Sequence, residues 1–355
     1  MRLVLIDPGS VYSTYDVYAG YRDAWRAQGH EVIEYALSKR IAVARRWLMY
    51  QWKACKKPTL PPTEQDVAYY AGMEAFIKAV RSDADWVVLF SALQFHPGVL
   101  HSIRKIGYKV ATILTESPYW DNWQAAWAGL CTVAFTNERT SVDVLREYQP
   151  LTYYLPHAYD PAKHSPGRNG DHPDVPGHDV VFVGTDFPER VETLRAVDWD
   201  GIDLGLYGMW HSMGSRNKLR QHLHTGIVDN RMTAALYRHA KIGLNMHRQS
   251  ADWSKDKPLI TSAESLNPRA VELAANGVFS ISDNRAEVGE VFGDVVPTYS
   301  TPRELEELVR HYLAHPEERA DKAAQLPALV ADRTFDALGK RVLTTLEEYS
   351  GAPLR

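Results

Sequence analysis

Short apolar runs alternate with longer amphipathic segments along most of this 355-residue chain. In the first half the apolar runs are residues 3–6, 31–35, 86–90, 109–114, 133–135 and 152–155. The segments between them are long enough for helices, the first at about residues 19–27. Because strands that alternate with helices form parallel sheets covered on both faces, this half predicts a Rossmann-like α/β domain.

The alternation resumes after residues 158–178, which are rich in proline, glycine and polar residues and predict an inter-domain linker. The later runs are residues 180–183, 202–207, 242–246 and 278–282, with a helix at residues 269–276. We therefore expect a first domain over residues 1–157 and a second over residues 179–335, with a closing helix in residues 336–355.

Composition limits the classes of protein that need considering. With 45% hydrophobic and 24% charged residues, the chain is typical of a globular protein. Its net charge of −4 gives no global signature of nucleic-acid binding. Cys55 and Cys131 are too few for a disulfide framework and lack zinc-site spacing. The N-terminal apolar run is too short for a signal peptide and no run is long enough to span a membrane, so we expect a cytoplasmic protein.

The segment from Glu264 to Glu272 carries the most distinctive chemistry. Its two carboxylates lie eight positions apart, with Asn267 and Arg269 between them, at the start of a predicted helix. A helix N-terminus suits an anionic phosphate, and an arginine in the first turn adds a bidentate donor. A carboxylate one turn further on can accept hydrogen bonds from sugar hydroxyls. Helix capping alone would also explain these residue types. Together, however, they predict a nucleotide-sugar diphosphate site.

Two residues of the first half are candidates for chemistry on an acceptor. In parallel sheets, ligands sit at the carboxyl ends of the strands. Glu116 follows the apolar run at residues 109–114 and could orient or deprotonate an acceptor hydroxyl. His96 is a rival for this role, although a lone histidine is more often a packed or capping residue.

A basic, aromatic segment at residues 39–57 is a candidate acceptor surface. No acid lies between Glu34 and Glu64, while seven lysines and arginines interleave with aromatic residues. Such a mixture can follow a phosphate backbone and stack bases. The alternative is a solvated amphipathic helix whose tryptophans pack on the domain. Arg45, Arg46 and Trp47 are the candidate contacts, and nucleic acid is a candidate partner.

Several short motifs occur in an order that is more specific than any one of them. The first half contains TESPY at residues 115–119, FTNER at residues 135–139 and YLPHA at residues 154–158. The second half contains FVG at residues 182–184, YGMW at residues 207–210 and LNPRAVE at residues 266–272. In this series the chain resembles glycosyltransferases of the GT-B class, most closely the spore-maturation-type (CgeB-like) group.

This resemblance implies two Rossmann-like domains that face each other across a cleft. The acceptor would bind mainly to the first domain and the nucleotide-sugar donor to the second, with the last helix crossing back to the first. The implied donor-binding residues are Gly184, Arg190, Asn245, Asn267, Arg269 and Glu272, with Ser10 from the opposite side. Glu264 would lie near the transferred sugar as a catalytic residue.

The resemblance also implies transfer with retention from a UDP- or GDP-sugar, without a cofactor or a metal ion. The acid pairs Asp83/Asp85 and Asp198/Asp200 precede strands and are interpreted as solvated turns. The acceptor stays open between a glycan, a protein, a small molecule and a hydroxylated base in DNA. Alternative functions are a non-catalytic nucleotide-sugar-binding module and a sugar-nucleotide epimerase of the same fold. A redox Rossmann enzyme is disfavoured, since no GxGxxG motif follows the first strand.

Overall fold

A computed structural model describes residues 1–9, 12–56, 60–167, 174–211, 213–224, 226, 228–251 and 259–351. The chain divides into two compact units. The first is Met1–Pro156 together with the C-terminal segment from Phe335, and the second is His157–Thr334. Each unit is built on a parallel sheet flanked by helices, as the alternating apolar pattern predicts.

In the described part of the first unit, six parallel strands have the order β2-β1-β3-β4-β5-β6. These strands are β1 (Arg2–Ile6), β2 (Glu31–Tyr35), β3 (Trp86–Phe90), β4 (Lys109–Leu114), β5 (Val133–Thr136) and β6 (Thr152–Tyr154). Its helices are α1 (Tyr12–Ala27), α2 (Leu37–Ala54), α3 (Glu64–Ser82), α4 (Pro97–Lys105), α5 (Asp121–Ala128), α6 (Ser141–Arg146) and, after the second unit, α13 (Phe335–Glu348). The strand order reverses between β1 and β3, so ligands are expected at the carboxyl ends of these two strands.

In the described part of the second unit, five parallel strands have the order β11-β10-β9-β7-β8. These are β7 (Val180–Val183), β8 (Leu204–Tyr207), β9 (Ile242–Asn245), β10 (Ser280–Asp283) and β11 (Thr298–Tyr299). Its helices are α7 (Pro188–Ala196), a 3₁₀ helix (Lys218–His222), α8 (Asn230–His239), α9 (Pro268–Ala275), α10 (Ala286–Phe292), α11 (Pro302–Ala314) and α12 (Pro316–Leu329). Here the order reverses between β7 and β9.

Helix α1 begins seven residues earlier than the pattern predicted, at Tyr12 instead of Ala19. The prediction missed an aromatic stripe in which Tyr18, Tyr21 and Trp25 are all buried. Helix α13 packs on this stripe within the first unit, where the Trp25 indole N–H donates to the Gly339 carbonyl at 3.1 Å. The packing of Tyr21 and Trp25 on α13 falls within the predicted part of α1, so it stabilises the helix but does not account for its earlier start.

Strand positions agree closely with the apolar runs because a buried parallel strand is almost continuously apolar. β2, β3, β4 and β7 have the predicted limits. β8 and β10 each start two residues later than predicted, at Leu204 and Ser280, and the short strand β11 was not predicted. Pairing of β10 with β9 begins only where Ser280 lies beside Gly243. Val278 and Phe279 precede β10 and are buried. Their apolar side chains therefore belong to the core, although their backbone is not part of the strand.

The described part of the predicted linker at residues 158–178 is irregular but packed. Tyr159 forms an isolated parallel bridge with Thr334 and belongs to a buried apolar cluster of the second unit. His164, Val175 and His178 are buried as well. The proline and glycine residues correctly predicted that the described part of this segment forms neither helix nor strand. They did not predict that part of it is buried.

Candidate functional site

Two loops meet at the carboxyl edge of the second sheet, one after β7 and one after β8. Gly184 follows β7, and its N–H donates to the Tyr207 carbonyl at the end of β8 at 2.9 Å. Gly208 has φ +105°, and a Cβ there would lie 2.3 Å from the Gly184 carbonyl oxygen. Only glycine fits at this second position, because both the backbone conformation and the contact exclude a side chain. The loops after β7 and β8 are therefore held close together.

Helix α9 presents its N-terminus with a complete side-chain cap. The Asn267 Oδ1 accepts the Ala270 N–H at 2.9 Å, and Pro268 occupies the first helical position. The Asn267 Nδ2 is buried and has no hydrogen-bond partner in the described chain. The oxygen of this asparagine therefore caps the helix. Its amide N–H groups stay available to a ligand.

Two predicted phosphate-binding arginines lie around one aromatic ring. The Arg269 guanidinium carbon is 4.8 Å from the centre of the Phe182 ring, and that of Arg190 is 5.5 Å from it. A Cβ on Gly184 would lie only 2.7 Å from the Arg269 Nη2. The structure therefore brings Gly184, Arg190 and Arg269 together at the end of β7.

The two arginines differ in how much of their donor capacity is committed. Arg190 is buried and donates to the Met246 carbonyl at 2.7 Å and to the Thr185 carbonyl at 3.2 Å. These bonds tie α7 to the end of β9. Arg269 is half-buried, and its Nε–H has no acceptor in the described chain. Arg269 therefore has the greater capacity for an incoming anion.

Asn245 ends β9 and lies beside the same edge. It is buried, and its Nδ2 donates to the Ser282 Oγ on β10 at 2.9 Å. Its Oδ1 has no hydrogen-bond partner in the part of the chain that the structure describes. A buried acceptor without a donor costs roughly 1–3 kcal/mol, so a ligand hydroxyl or a water molecule at this position would be stabilised.

The loop that carries Glu264 is fixed by a buried carboxylate on α10. The Glu287 Oε2 accepts the Leu266 N–H at 2.6 Å, and the Glu287 N–H donates to the Glu264 carbonyl at 3.1 Å. The Glu287 Oε1 forms an ion pair with Arg333 at 2.8 Å. The backbone at Glu264 is therefore positioned by residues that come later in the chain.

Glu272 lies one turn into α9 beside a buried histidine. Its Oε1 is 4.0 Å from the His164 Nε2. Burial, assisted by the nearby Lys163 charge, lowers the pKa of His164 to about 4. The imidazole is therefore neutral near pH 7, and this contact is not an ion pair there.

The depressed pKa of His164 predicts acid sensitivity of the second unit. Its value falls from about 6.5 to about 4 on burial, so the unfolded chain binds the extra proton between these two pH values. Stability is therefore full above pH 6.5 and falls as the pH decreases towards 4, by about 3 kcal/mol in total. The measurement is the free energy of unfolding by urea at several pH values. The His164→Leu variant is expected to lose this part of the pH dependence.

The control for this prediction is His211→Leu, which removes an exposed histidine from the same unit. It should leave the slope of stability against pH unchanged. An unaltered slope in His164→Leu would contradict the assignment of acid sensitivity to His164.

Sequence reasoning missed a buried histidine–aspartate pair at this edge. The His247 Nδ1 lies 2.6 Å from the Asp283 Oδ1, and the same carboxylate accepts the His247 backbone N–H at 3.0 Å. Burial lowers the pKa of His247, which favours the neutral imidazole. Its Nε2 has no hydrogen-bond partner in the described residues. A neutral ring fixed in this way can exchange a proton or a hydrogen bond through Nε2.

A signal for this pair was present in the sequence. His247 and Asp283 each directly follow an apolar run, at residues 242–246 and 278–282, so parallel pairing of β9 with β10 brings them to one edge. The strand pairing itself was needed to connect them, since they are 36 positions apart.

The catalytic candidates of the first unit lie after β3 and β4. Glu116 follows β4, is half-buried, and its backbone N–H donates to the Gln124 Oε1 at 3.2 Å. The His96 Nδ1 accepts the Gly98 N–H at 3.0 Å and so caps α4, while the ring lies 5.2 Å from that of Tyr69. His96 therefore has the capping role that was the alternative to catalysis, with one ring nitrogen committed to it.

The reversal point of the first sheet has unusual backbone geometry. Ser91 and Ala92 directly follow β3 and have φ values of 63° and 59°. Non-glycine residues in this left-handed region carry strain of order 1–3 kcal/mol, which is common at functional sites. Gly9, after β1, has φ +81°, and a Cβ there would lie 2.3 Å from the Gln94 Oε1. Ser10, the predicted diphosphate contact next to it, lies outside the described residues.

The predicted acceptor contacts lie on α2. Arg45 pairs with Glu64 of α3 at 2.6 Å, and Arg46 donates to the Ala42 carbonyl at 3.4 Å. Trp47 is 46% exposed and its ring lies 5.1 Å from that of Tyr70 on α3, so it is partly packed on the domain, as in the alternative interpretation. Lys57, the last basic residue of the segment, lies outside the described residues.

No described group of three or more histidine, cysteine, aspartate or glutamate side chains is arranged to hold a metal ion. Independence from metal stays a prediction for experiment. Likewise, none of the described helices is both long and apolar enough to cross a membrane.

Comparison with known protein families gives one match. Residues 184–344, a little under half of the chain, match a family described as glycosyl transferase-like. The matched range begins at Gly184 and includes Glu264, Asn267, Arg269 and Glu272. A search of curated proteins finds no match to the chain.

Solved structures with a similar fold cover almost the whole chain. The sucrose-phosphate synthase from Thermosynechococcus elongatus has a TM-score of 0.68 at 13% identity, covering 99% of this chain and 100% of that one. A trehalose 6-phosphate synthase from Burkholderia multivorans has a TM-score of 0.62 at 10% identity, covering 99% of each chain. The UDP-GlcNAc 2-epimerase from Neisseria meningitidis has a TM-score of 0.59 at 10% identity, covering 98% of this chain and 100% of that one.

These likenesses show the fold. The chain has a glycosyltransferase-like α/β fold of the GT-B type with two Rossmann-like sheets, as the sequence resemblance implied. The narrower assignment to the spore-maturation-type group stays a prediction.

Proposed function

We propose that this protein is a glycosyltransferase that moves a sugar from a nucleotide-sugar donor to a hydroxyl group of an acceptor. The observation that carries the proposal is the edge of the second sheet. There Gly184, Asn267 at the N-terminus of α9, and Arg269 lie within one local assembly. The glycosyl transferase-like match over the same residues supports it. Activity on a particular sugar or base is not implied by this edge.

The proposed chemistry follows from where charge develops. Breaking the bond between sugar and diphosphate places negative charge on the leaving group. The dipole and free N–H groups of the α9 N-terminus, together with the Arg269 guanidinium, stabilise that charge without a metal ion. We propose UDP- or GDP-sugars as donors and no cofactor. Glu272 is proposed to hold the ribose hydroxyls, as a carboxylate at that distance along the helix can.

Retention of anomeric configuration is part of the proposal, with Glu264 near the transferred sugar. Glu116 of the first unit is proposed to orient or deprotonate the acceptor hydroxyl. His96 is the weaker candidate, because one of its ring nitrogens caps α4. The acceptor class stays open between glycan, protein, small molecule and hydroxylated base. We also propose a cytoplasmic location, since the free thiols of Cys55 and Cys131 suit a reducing compartment.

The experiment that tests the proposal is a screen of UDP-, GDP-, ADP- and dTDP-sugars by thermal shift, with and without a chelator. A ligand that binds only the folded protein raises the melting temperature. We expect one nucleotide series to stabilise the protein equally with and without chelator. Mass spectrometry of the stabilising donor, incubated with candidate acceptors, should then detect a sugar adduct, and NMR should give its anomeric configuration.

A different experimental result would contradict each part of the proposal. Stabilisation that the chelator abolishes would remove independence from metal. Inversion at the anomeric carbon would remove retention. Binding by no nucleotide series would remove the donor site at the α9 edge.

A sugar-nucleotide epimerase is the second candidate, because a UDP-GlcNAc 2-epimerase is among the structures with a similar fold. Such an enzyme converts the donor alone, without an acceptor. NMR of donor and protein by themselves distinguishes the two functions: a C2 epimer supports the epimerase, and an unchanged donor supports the transferase. Tight donor binding with neither product would indicate a non-catalytic binding module.

A further inference from the structure

A groove between α2 and α3 of the first unit is lined by more basic than acidic side chains. The groove has a volume of about 820 Å³, and it is lined by four basic and two acidic side chains together with apolar ones. The basic residues are Lys39, Arg40, Lys78 and Arg81, and the acidic residues are Glu34 and Glu74. Its location follows from the antiparallel packing of α2 on α3.

Both carboxylates of the groove are already paired. Glu34 on β2 accepts hydrogen bonds from Tyr18, Arg22 and Arg26 at 2.8, 3.2 and 2.8 Å. Glu74 pairs with Arg40 at 3.1 Å. Lys39, Lys78 and Arg81 have no ion-pair partner in the described chain.

Aromatic rings of the same two helices are exposed. Trp47 on α2 and Tyr70 on α3 lie with their ring centres 5.1 Å apart. Each ring is 46% exposed, and Tyr50, one turn from Trp47, is 67% exposed. Exposed aromatic side chains that lie together form the kind of surface found at binding sites. Their arrangement gives a stacking surface on the helices that form the basic groove.

The combination points to a particular ligand chemistry. Unpaired cations in a groove attract a chain of phosphates, and exposed aromatic rings stack on unpaired bases. A membrane surface fits less well, because the cations lie inside a concavity and the exposed rings are mostly polar tyrosines. Since the whole chain has a net charge of −4, the attraction is local and not a general property of the protein.

We propose that the α2–α3 groove and its Trp47–Tyr70 platform bind single-stranded nucleic acid. Phosphates would contact Lys39, Lys78 and Arg81, and a base would stack on Trp47. This inference does not rest on transferase activity, because binding is measured without a sugar donor.

The test is fluorescence anisotropy of a labelled 20-nucleotide oligo(dT) with the full chain, at several salt concentrations. Three phosphate contacts to a single strand contribute a slope of about −2 to the plot of log affinity against log salt. The variant Lys39→Gln/Lys78→Gln/Arg81→Gln is expected to lose this part of the slope. Trp47→Ala should weaken binding about ten-fold while leaving the slope unchanged, because stacking is not ionic.

A matched control removes the same charge elsewhere. The triple variant Arg195→Gln/Arg231→Gln/Arg303→Gln replaces three exposed arginines of the second unit and should bind oligo(dT) as the wild type does. Circular dichroism and melting temperature of each variant establish that it is folded.

Several results would overturn the proposal. These are no anisotropy change at 50 mM salt with protein at about 100 μM, binding that the groove variant leaves unchanged, and equal loss in the control variant. Duplex DNA bound as tightly as the single strand would also overturn it, since stacking requires unpaired bases. So would binding to phosphatidylserine vesicles in the absence of binding to oligo(dT).

Discussion

Replacing Glu272 by alanine is expected to weaken binding of the nucleotide-sugar donor roughly 10- to 100-fold while leaving the fold intact. The reason is the net loss of about one charge-assisted hydrogen bond from a ribose hydroxyl, worth about 1.5–3 kcal/mol. The side chain is only 14% exposed, so water replaces these bonds poorly in the bound complex. Isothermal titration calorimetry with the nucleotide that stabilises the wild type measures the effect.

The ribose assignment can be separated from a general loss of affinity. If Glu272 holds ribose hydroxyls, the wild type should prefer a ribonucleotide over its 2′-deoxy analogue, and Glu272→Ala should lose that preference. This double comparison isolates one interaction, as a double-mutant cycle does. Glu272→Gln, which keeps an acceptor oxygen, should lie between the two.

The control is Glu192→Ala, which removes an exposed carboxylate from α7 of the same unit and should bind donor normally. Wild-type donor affinity in Glu272→Ala would remove the ribose-binding role. A wild-type preference for the deoxynucleotide would also count against it.

Replacing Glu287 by alanine is expected to destabilise the second unit by about 3–5 kcal/mol. The ion pair with Arg333 is buried, with side-chain exposures of 5% for Glu287 and 11% for Arg333. Removal of one partner leaves the other charge buried without compensation, which is the costly way to break such a pair. The variant also leaves the Leu266 N–H without its acceptor. A decrease in melting temperature of roughly 10 °C is expected, measured by circular dichroism.

Because Glu287 also fixes the backbone at Leu266 and Glu264, donor binding should fall in the same variant. Glu287→Gln should be milder, because its remaining oxygen can still accept one of the two hydrogen bonds. Glu192→Ala again serves as the control for loss of an exposed carboxylate. A melting temperature within about 2 °C of the wild type in Glu287→Ala would show that the pair contributes little.

The sequence was sufficient for features that depend on local periodicity. A buried parallel strand is apolar along its length, so β2, β3, β4 and β7 could be located from apolar runs alone. The start of α9 was equally visible, because Asn267 and Pro268 are the residue types that begin helices. The α/β class could be predicted from the alternation of strands and helices, and the GT-B fold from the order of the short motifs. Both signals can be read directly from the linear sequence.

What the side chains at the candidate site contact was decided only by the tertiary structure. Arg190 was predicted as a phosphate contact, but two of its donor groups bind carbonyls at Thr185 and Met246, the second 56 positions away. The aromatic stripe of α1 packs on α13, at the other end of the chain. Met246 and α13 lie far along the chain from the residues they contact. Nothing in the sequence near Arg190 or in α1 identifies them, because only folding brings these segments together.

The same division holds for the edge where the donor is proposed to bind. The sequence determined that Asn267, Arg269 and Glu272 would lie at the start of one helix, since spacing along a helix is fixed by its geometry. Only the tertiary structure placed His247 against Asp283 and Leu266 against Glu287. The first pair depends on the pairing of β9 with β10, and the second on the packing of α10 against the loop before α9, so both are properties of the whole unit and not of any segment.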